Sequence, residues 1–232
     1  MFDFPISSIN SEVKNPLEIT WYGHSCFRIT ERNRISVVTD PFSESIGLPV
    51  PKLKADVITI SHPEPGHNNL EVVKGEPHVL EGPGEYELGG VFITGIPMHY
   101  VEGDTVRWNI AYLLEYDHLT VLHLGDLAHV PDQSTIETFG EVNVLLLPVG
   151  GGNALRASEA AEVVALIEPQ YVVPMHYALP DLKVPLEPLE NFLKAMGIGK
   201  AQEADWLKVS SGEMPEQSQV IVLLPQFQQQ QV

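Results

Sequence analysis

Short apolar runs that stop at a histidine or an aspartate constrain this chain more than any other feature. Residues 57–60, 119–124, 142–147 and 171–173 are apolar and too short for independent helices, so they read as buried strands. Ligand-type side chains follow three of them. His62, Glu64 and His67 come after the first, Asp126 after the second and His176 after the last. Layered α/β proteins gather their sites in loops at strand ends, so the pattern points to two sheets with a polar site at one edge.

Further strands are expected at 17–22, 26–30, 35–39, 91–94 and 220–224, with a short helix at 70–73. Residues 108–115 and 119–124 read as a hairpin around Asp117-His118. The second half alternates strand and helix. Over 157–167, Ala160, Val163, Val164 and Ile167 share one face of a helix, with Ser158 as a cap and Glu159 and Glu162 near its positive end. A further helix over 188–196 stops at Gly197. Without a clear linker, residues 1–225 read as one α/β domain with two sheets and outer helices. Residues 226–232 read as a disordered glutamine-rich tail.

Acidic side chains number 31 against 13 basic, a formal net charge of −18. Such a surface repels phosphate backbones and anionic membranes, so nucleic acid and membrane are not expected partners and a small-molecule substrate is. The single cysteine, Cys26, excludes an intrachain disulfide and a multi-cysteine zinc site; among Trp21, Tyr22, Phe27 and Ile29 it reads as a buried thiol. No run approaches the roughly 20 apolar residues of a membrane span, and the N-terminus lacks a signal pattern, so a cytoplasmic protein is expected.

The ligand-type residues fall in five segments: His24; the hexapeptide His62-Pro63-Glu64-Pro65-Gly66-His67; His99; Asp126; and His176. Imidazole and carboxylate together suit zinc, iron or manganese. An ion so held lowers the pKa of bound water towards ~7 and needs no serine or cysteine nucleophile. No Gly-x-Ser-x-Gly elbow is present, and Gly150-Gly151-Gly152 lacks the lysine-serine pair of a phosphate loop. His123 and His129 flank Asp126 and suit packing or hydrogen bonding, and His78 and His118 suit the surface.

The motif order resembles the metallo-β-lactamase superfamily, most closely its predicted zinc-dependent hydrolases that include sugar-lactone lactonases. The resemblance rests on Trp21-Tyr22-Gly23-His24, Thr39-Asp40-Pro41, Gly125-Asp126, Pro148-Val149-Gly150-Gly151 and Pro174-Met175-His176-Tyr177, and runs from about Glu18 to Met196. It implies an αββα sandwich, with two mixed sheets and helices on the outer faces. It also implies one or two divalent ions, zinc first and manganese or iron as alternatives. The family's His-x-His-x-Asp-His falls on His62, Glu64, Gly66 and His67, so two positions depart from it. By this resemblance His62, Glu64, His99 and Asp126 hold one ion, and His67, Asp126 and His176 the other, short of one carboxylate at Gly66. Asp126 would bridge the ions or orient water as the catalytic group. His24, Asp40 and His129 would stand behind the ligands.

The function implied is a hydrolase that uses a metal-bound hydroxide on an ester, lactone, amide or phosphodiester. The alternatives are a degenerate member serving as a binding or regulatory module, and a protein with one structural ion.

Overall fold

A computed structural model of the chain describes residues 15–102 and 105–226. The glutamine-rich tail lies outside them except for Gln226, which is buried and donates to the Asp205 and Leu224 carbonyls.

Two sheets carry the fold. From edge to edge the first runs Leu207–Val209, Leu17–Trp21, Phe27–Glu31, Val37–Thr39, Val57–Thr59 and His78–Leu80. The second runs Gln202–Ala204, Gln219–Leu223, Tyr171–Met175, Val144–Pro148, Leu119–His123, Ile110–Tyr116, Val91–Pro97 and Gly84–Leu88. Both are mixed. Val37–Thr39 is antiparallel to Phe27–Glu31 but parallel to Val57–Thr59. Leu119–His123 is antiparallel to Ile110–Tyr116 but parallel to Val144–Pro148. The expected hairpin forms, with Tyr116 opposite Leu119 and both loop residues exposed.

Successive side chains on a strand point to opposite faces. Val37 and Val57 therefore enter the core shared by the two sheets, with Trp21, Phe27, Tyr112 and Leu114. Val38 and Ile58 turn the other way and join Phe42, Ile46 and Val73 in a second cluster. A strand covered on both faces has no polar side, which accounts for the unbroken apolar runs. Each fully buried large apolar side chain contributes roughly 1.5–3 kcal/mol.

The result is the αββα type of sandwich, with one local departure. Outside Val38 and Ile58 the cover includes the single-turn 3-10 helices Glu44–Ile46 and Leu70–Val72. The α-helices Gln133–Phe139 and Ala157–Ile167 make the crossovers between parallel neighbours of the second sheet. Ala157–Ile167 buries Ala157, Ala160, Val163 and Val164. Ser158 does not cap it, because the helix has already begun at Ala157; instead the Glu159 carboxylate accepts from the Arg156 N–H at 2.9 Å. Among the described residues no helix is long and apolar enough to cross a membrane.

Parallel strands bring their C-terminal ends to the same edge. Asp40 and Ser61 follow one such pair in the first sheet, and Asp126 and His176 follow parallel members of the second. Two contacts hold the sheets in register there. The Ile110 N–H donates to the Ser61 carbonyl at 2.9 Å, and the buried Tyr112 hydroxyl lies 3.1 Å from the Ile60 carbonyl and 2.7 Å from that of Leu80.

Candidate metal centre

The site is built outward from Asp40, a buried carboxylate with φ +39°. Its Oδ1 accepts the Ser61 N–H at 2.7 Å, and its Oδ2 accepts the Ser61 hydroxyl at 2.5 Å and His67 Nδ1 at 2.9 Å. An ionised carboxylate has no proton to give, so the Ser61 hydroxyl donates to it and keeps lone pairs for His62 Nδ1 at 2.9 Å. Asp40 thus sets two rings at once, each with Nδ1–H turned away and Nε2 turned inward. Fixing a histidine through its far nitrogen is how proteins prepare imidazole for a metal.

Asp126 lies where the inward nitrogens meet. Its Oδ2 is 3.2 Å from His176 Nε2, 3.4 Å from His67 Nε2 and 3.7 Å from His62 Nε2. Its backbone N–H donates to Asn109 Oδ1 at 2.9 Å, and the Asn109 amide donates to the Leu124 carbonyl at 2.9 Å. Gly125 makes this approach possible. At φ +55°, a Cβ there would lie 2.4 Å from Asn109 Oδ1 and 2.5 Å from Ser61 Cβ. Asn109 and Ser61 are supports that sequence reasoning missed; the glycine before Asp126 was the available signal.

His24 joins from the turn after Leu17–Trp21. Its ring centroid is 4.5 Å from that of His176 and 4.9 Å from that of His67. Its carbonyl accepts the Trp21 indole at 3.1 Å and the His176 N–H at 3.2 Å. His24 and His176 both hold a left-handed backbone, at φ +51° and +52°. With Asp40, three of the six non-glycine residues at positive φ among the described residues belong to this site. Such strain costs of order 1–3 kcal/mol per residue and persists only where the surroundings over-determine it.

The electrostatics match the geometry. Burial would raise the Asp126 carboxyl, but His176 and His67 outweigh it and hold it well below the usual range. Burial would lower His67, but Asp126 and Asp40 outweigh it and raise it to about 10. Burial lowers His24 well below 6.5, helped by His176 and His67, and lowers His62, helped by His67. An ionised carboxylate beside the neutral imidazoles of His24 and His62 suits a divalent cation, and His67, held charged by its two carboxylates, joins them by releasing a proton on binding. Two groups of three, His24–His67–His176 and His62–His67–Asp126, have ligand atoms all within 4.8 Å of one another. Asp126 Oδ1 is buried without a hydrogen-bond partner, as a waiting ligand oxygen would be. The residues present therefore fit a metal ion.

Of the remaining candidates, His99 and His129 are not brought to this cluster, and Glu64 lies at the cavity beside it but outside both groups of converging ligand atoms. His99 is exposed and lies against Trp108, ring centroids 5.3 Å apart. Met98 and His99 lie in the link between the strands Val91–Pro97 and Tyr100–Glu102, where Met98 takes the buried place, its N–H donating to the Asn109 carbonyl at 2.7 Å, and His99 is left at the surface. Glu64, its side chain 47% exposed, has Oε1 3.6 Å from an Arg107 guanidinium nitrogen. His129 is exposed, with the Tyr100 ring 6.3 Å away. His123 is buried, its Nε2 3.1 Å from the Ser25 carbonyl, in a structural position. A cavity of about 450 Å³ opens above the cluster; His24, His67, Asp126 and His176 lie at it, with Asn153 and Lys183 contributing polar side chains.

Comparison with known proteins agrees with this geometry. The family model described as a beta-lactamase superfamily domain matches residues 18–176. A UPF0173 protein of Pyrococcus abyssi is 30% identical over 184 residues, covering 69% of this chain and 83% of that one. A UPF0173 metal-dependent hydrolase of Thermococcus onnurineus is 27% identical, covering 69% and 84%. A crystal structure from Thermotoga maritima, assigned to the Zn-dependent hydrolases of the metallo-β-lactamase superfamily, is 36% identical. It superposes with a TM-score of 0.75 over 89% of this chain and 98% of that one.

Proposed function

Since the chain belongs to the metallo-β-lactamase superfamily, we propose that it is a metal-dependent hydrolase of a small molecule, cleaving an ester, lactone, amide or phosphodiester. The observation that carries this reading is the convergence of His67, His176 and Asp126 at a cavity of about 450 Å³, with His62 Nε2 3.7 Å from Asp126 Oδ2. Zinc is the first choice of ion, with manganese or iron as alternatives, and a place beside the sugar-lactone lactonases follows from the same motifs.

A divalent ion in such a site supplies Lewis acidity and brings the pKa of water towards ~7. The chain's own residues do the rest. Asp40, bonded to His67 Nδ1 and through Ser61 to His62 Nδ1, keeps both Nε2 atoms aimed inward, and His67 gives up its Nε2 proton when an ion binds. Asp126, anchored by Asn109, offers a buried oxygen that can orient an attacking water. Lys183 at the cavity suits a negative group on the substrate, one of few cations in a chain of net charge −18. That charge supports a small molecule over nucleic acid or an anionic membrane, and a cytoplasmic setting remains our reading. The core common to both sheets supports reading residues 1–225 as one domain.

The test is the metal content of protein purified without added metal, beside Asp126→Ala. Bound metal that Asp126→Ala loses, with turnover of generic lactone or phosphodiester substrates that falls in parallel, is expected. Near-zero metal after incubation with zinc, manganese and iron would sink the reading. It would leave the binding or regulatory module, which the turn of Glu64 towards Arg107 favours.

A further inference from the structure

Gly66 breaks the expected ligand motif, and the space in front of it is already filled. A Cβ added there would lie 2.9 Å from His24 Nε2 and 3.2 Å from its Cδ2, closer than side chains normally tolerate. The imidazole of His24 thus occupies the region into which a side chain at residue 66 would project. From there one nitrogen of each of His24, His67 and His176 lies within 4.8 Å of the other two, and Asp126 Oδ2 is 3.2 Å from His176 and 3.4 Å from His67. The placement of His24 is over-determined. The residue is 2% exposed, its φ is +51°, its carbonyl has two donors, and its Nδ1 has no partner.

The His62 part of the cluster is poorer, although His62, His67 and Asp126 also lie within 4.8 Å of one another. His62 is there at 3.7 Å, but Glu64 lies towards Arg107 and His99 against Trp108. The motif resemblance puts the deficit on the His67 side, whereas the geometry moves it to the His62 side.

Resting on the metal-hydrolase reading above, we infer that His24 supplies the donor residue 66 lacks. His24, His67, His176 and Asp126 then form one four-donor subsite, and the chain holds a single tight ion. Three imidazoles and one carboxylate suit borderline cations such as zinc or cobalt(II) and disfavour the oxygen-seeking magnesium and calcium.

The full chain, stripped by chelator, is titrated with zinc and with cobalt(II). Stoichiometry is read by elemental analysis and calorimetry, and coordination by the visible spectrum of the cobalt form. One tight equivalent is expected. His24→Asn, chosen because asparagine tolerates a left-handed backbone, should weaken binding at least about 100-fold, at or beyond the upper cost of removing a mere outer partner of a ligand, and alter the cobalt spectrum. The double variant His24→Ala with Gly66→Asp, in which the carboxylate gains the vacated space, should recover part of that loss. His99→Ala should bind as the parent does. An unchanged affinity and spectrum in His24→Asn, or two equally tight ions in the parent, would overturn this inference and leave the hydrolase reading standing. No binding by the parent would remove the reading itself. Thermal unfolding of each stripped variant separates lost binding from lost fold, and a misfolded His24→Asn leaves the double variant to decide: recovered binding supports the inference, none overturns it.

Discussion

His67 and His99 both follow apolar strand residues, yet they end in different surroundings. His67 is 2% exposed, with Asp40 2.9 Å from its far nitrogen and Asp126 3.4 Å from its near one. His99 is exposed, against Trp108 beside the ribbon formed by Tyr100–Glu102 and Thr105–Arg107. A histidine becomes a prepared ligand when a second residue fixes the nitrogen that will not bind. On the buried side that residue exists. Around His99 the contact is a ring face on the surface, which fixes no nitrogen.

The sharpest way to break this contrast is Asp40→Ala. It removes the acceptor of both His67 Nδ1 and the Ser61 hydroxyl in a fully buried place. Breaking a buried charged pair costs about 3–5 kcal/mol, so denaturant unfolding should show a loss of that order, together with lost metal. A stable variant that retains metal would show that His67 needs no partner. Asn109→Ala comes next. It leaves the Asp126 N–H unsatisfied and takes one of two donors from the Leu124 carbonyl, which keeps the Leu127 N–H, worth about 1–3 kcal/mol in the same measurement.

A shallower effect should appear in the stripped protein as pH is varied. Burial lowers His24, His62 and His123, so these stay neutral in the fold while the unfolded chain takes up protons below about 6.5. Their contribution is present above that pH and lost as pH falls. His67 is raised to about 10, so its contribution is full below about 6.5 and lost as pH rises towards 10. Stability should peak near pH 6.5, and a monotonic rise from pH 5 to 9 would contradict the opposed signs. Smallest of all, His99→Ala should shift stability by no more than about 0.5 kcal/mol, as exposed substitutions do.

Much of the frame was legible because the strands are buried on both faces. Val38 and Ile58 could only be apolar, and the tight Asp117-His118 loop left one hairpin register. His62, His67, Asp126 and His176 were legible because each follows a strand that ends at the same edge. His99 was not, because it lies in a two-residue link beyond the strand Val91–Pro97, where no periodicity says which side chain is buried, and Met98 took the inward place. His24 was legible as a neighbour but not as a donor. The role inferred for it depends on its ring filling the place of a side chain at Gly66, which spacing along a chain does not report.

The close approach at Gly125 also bears on the order of assembly. Ser61 belongs to the first sheet's edge and Asn109 to the second's, and both crowd against that glycine while Asn109 seats Asp126. No half of the chain alone can present Asp126 to His67 and His176. The centre is therefore a late product of folding, completed only after the sheets dock. An ion that recognises it should act as a latch on the finished molecule, slowing its opening and leaving the rate of its closure unchanged.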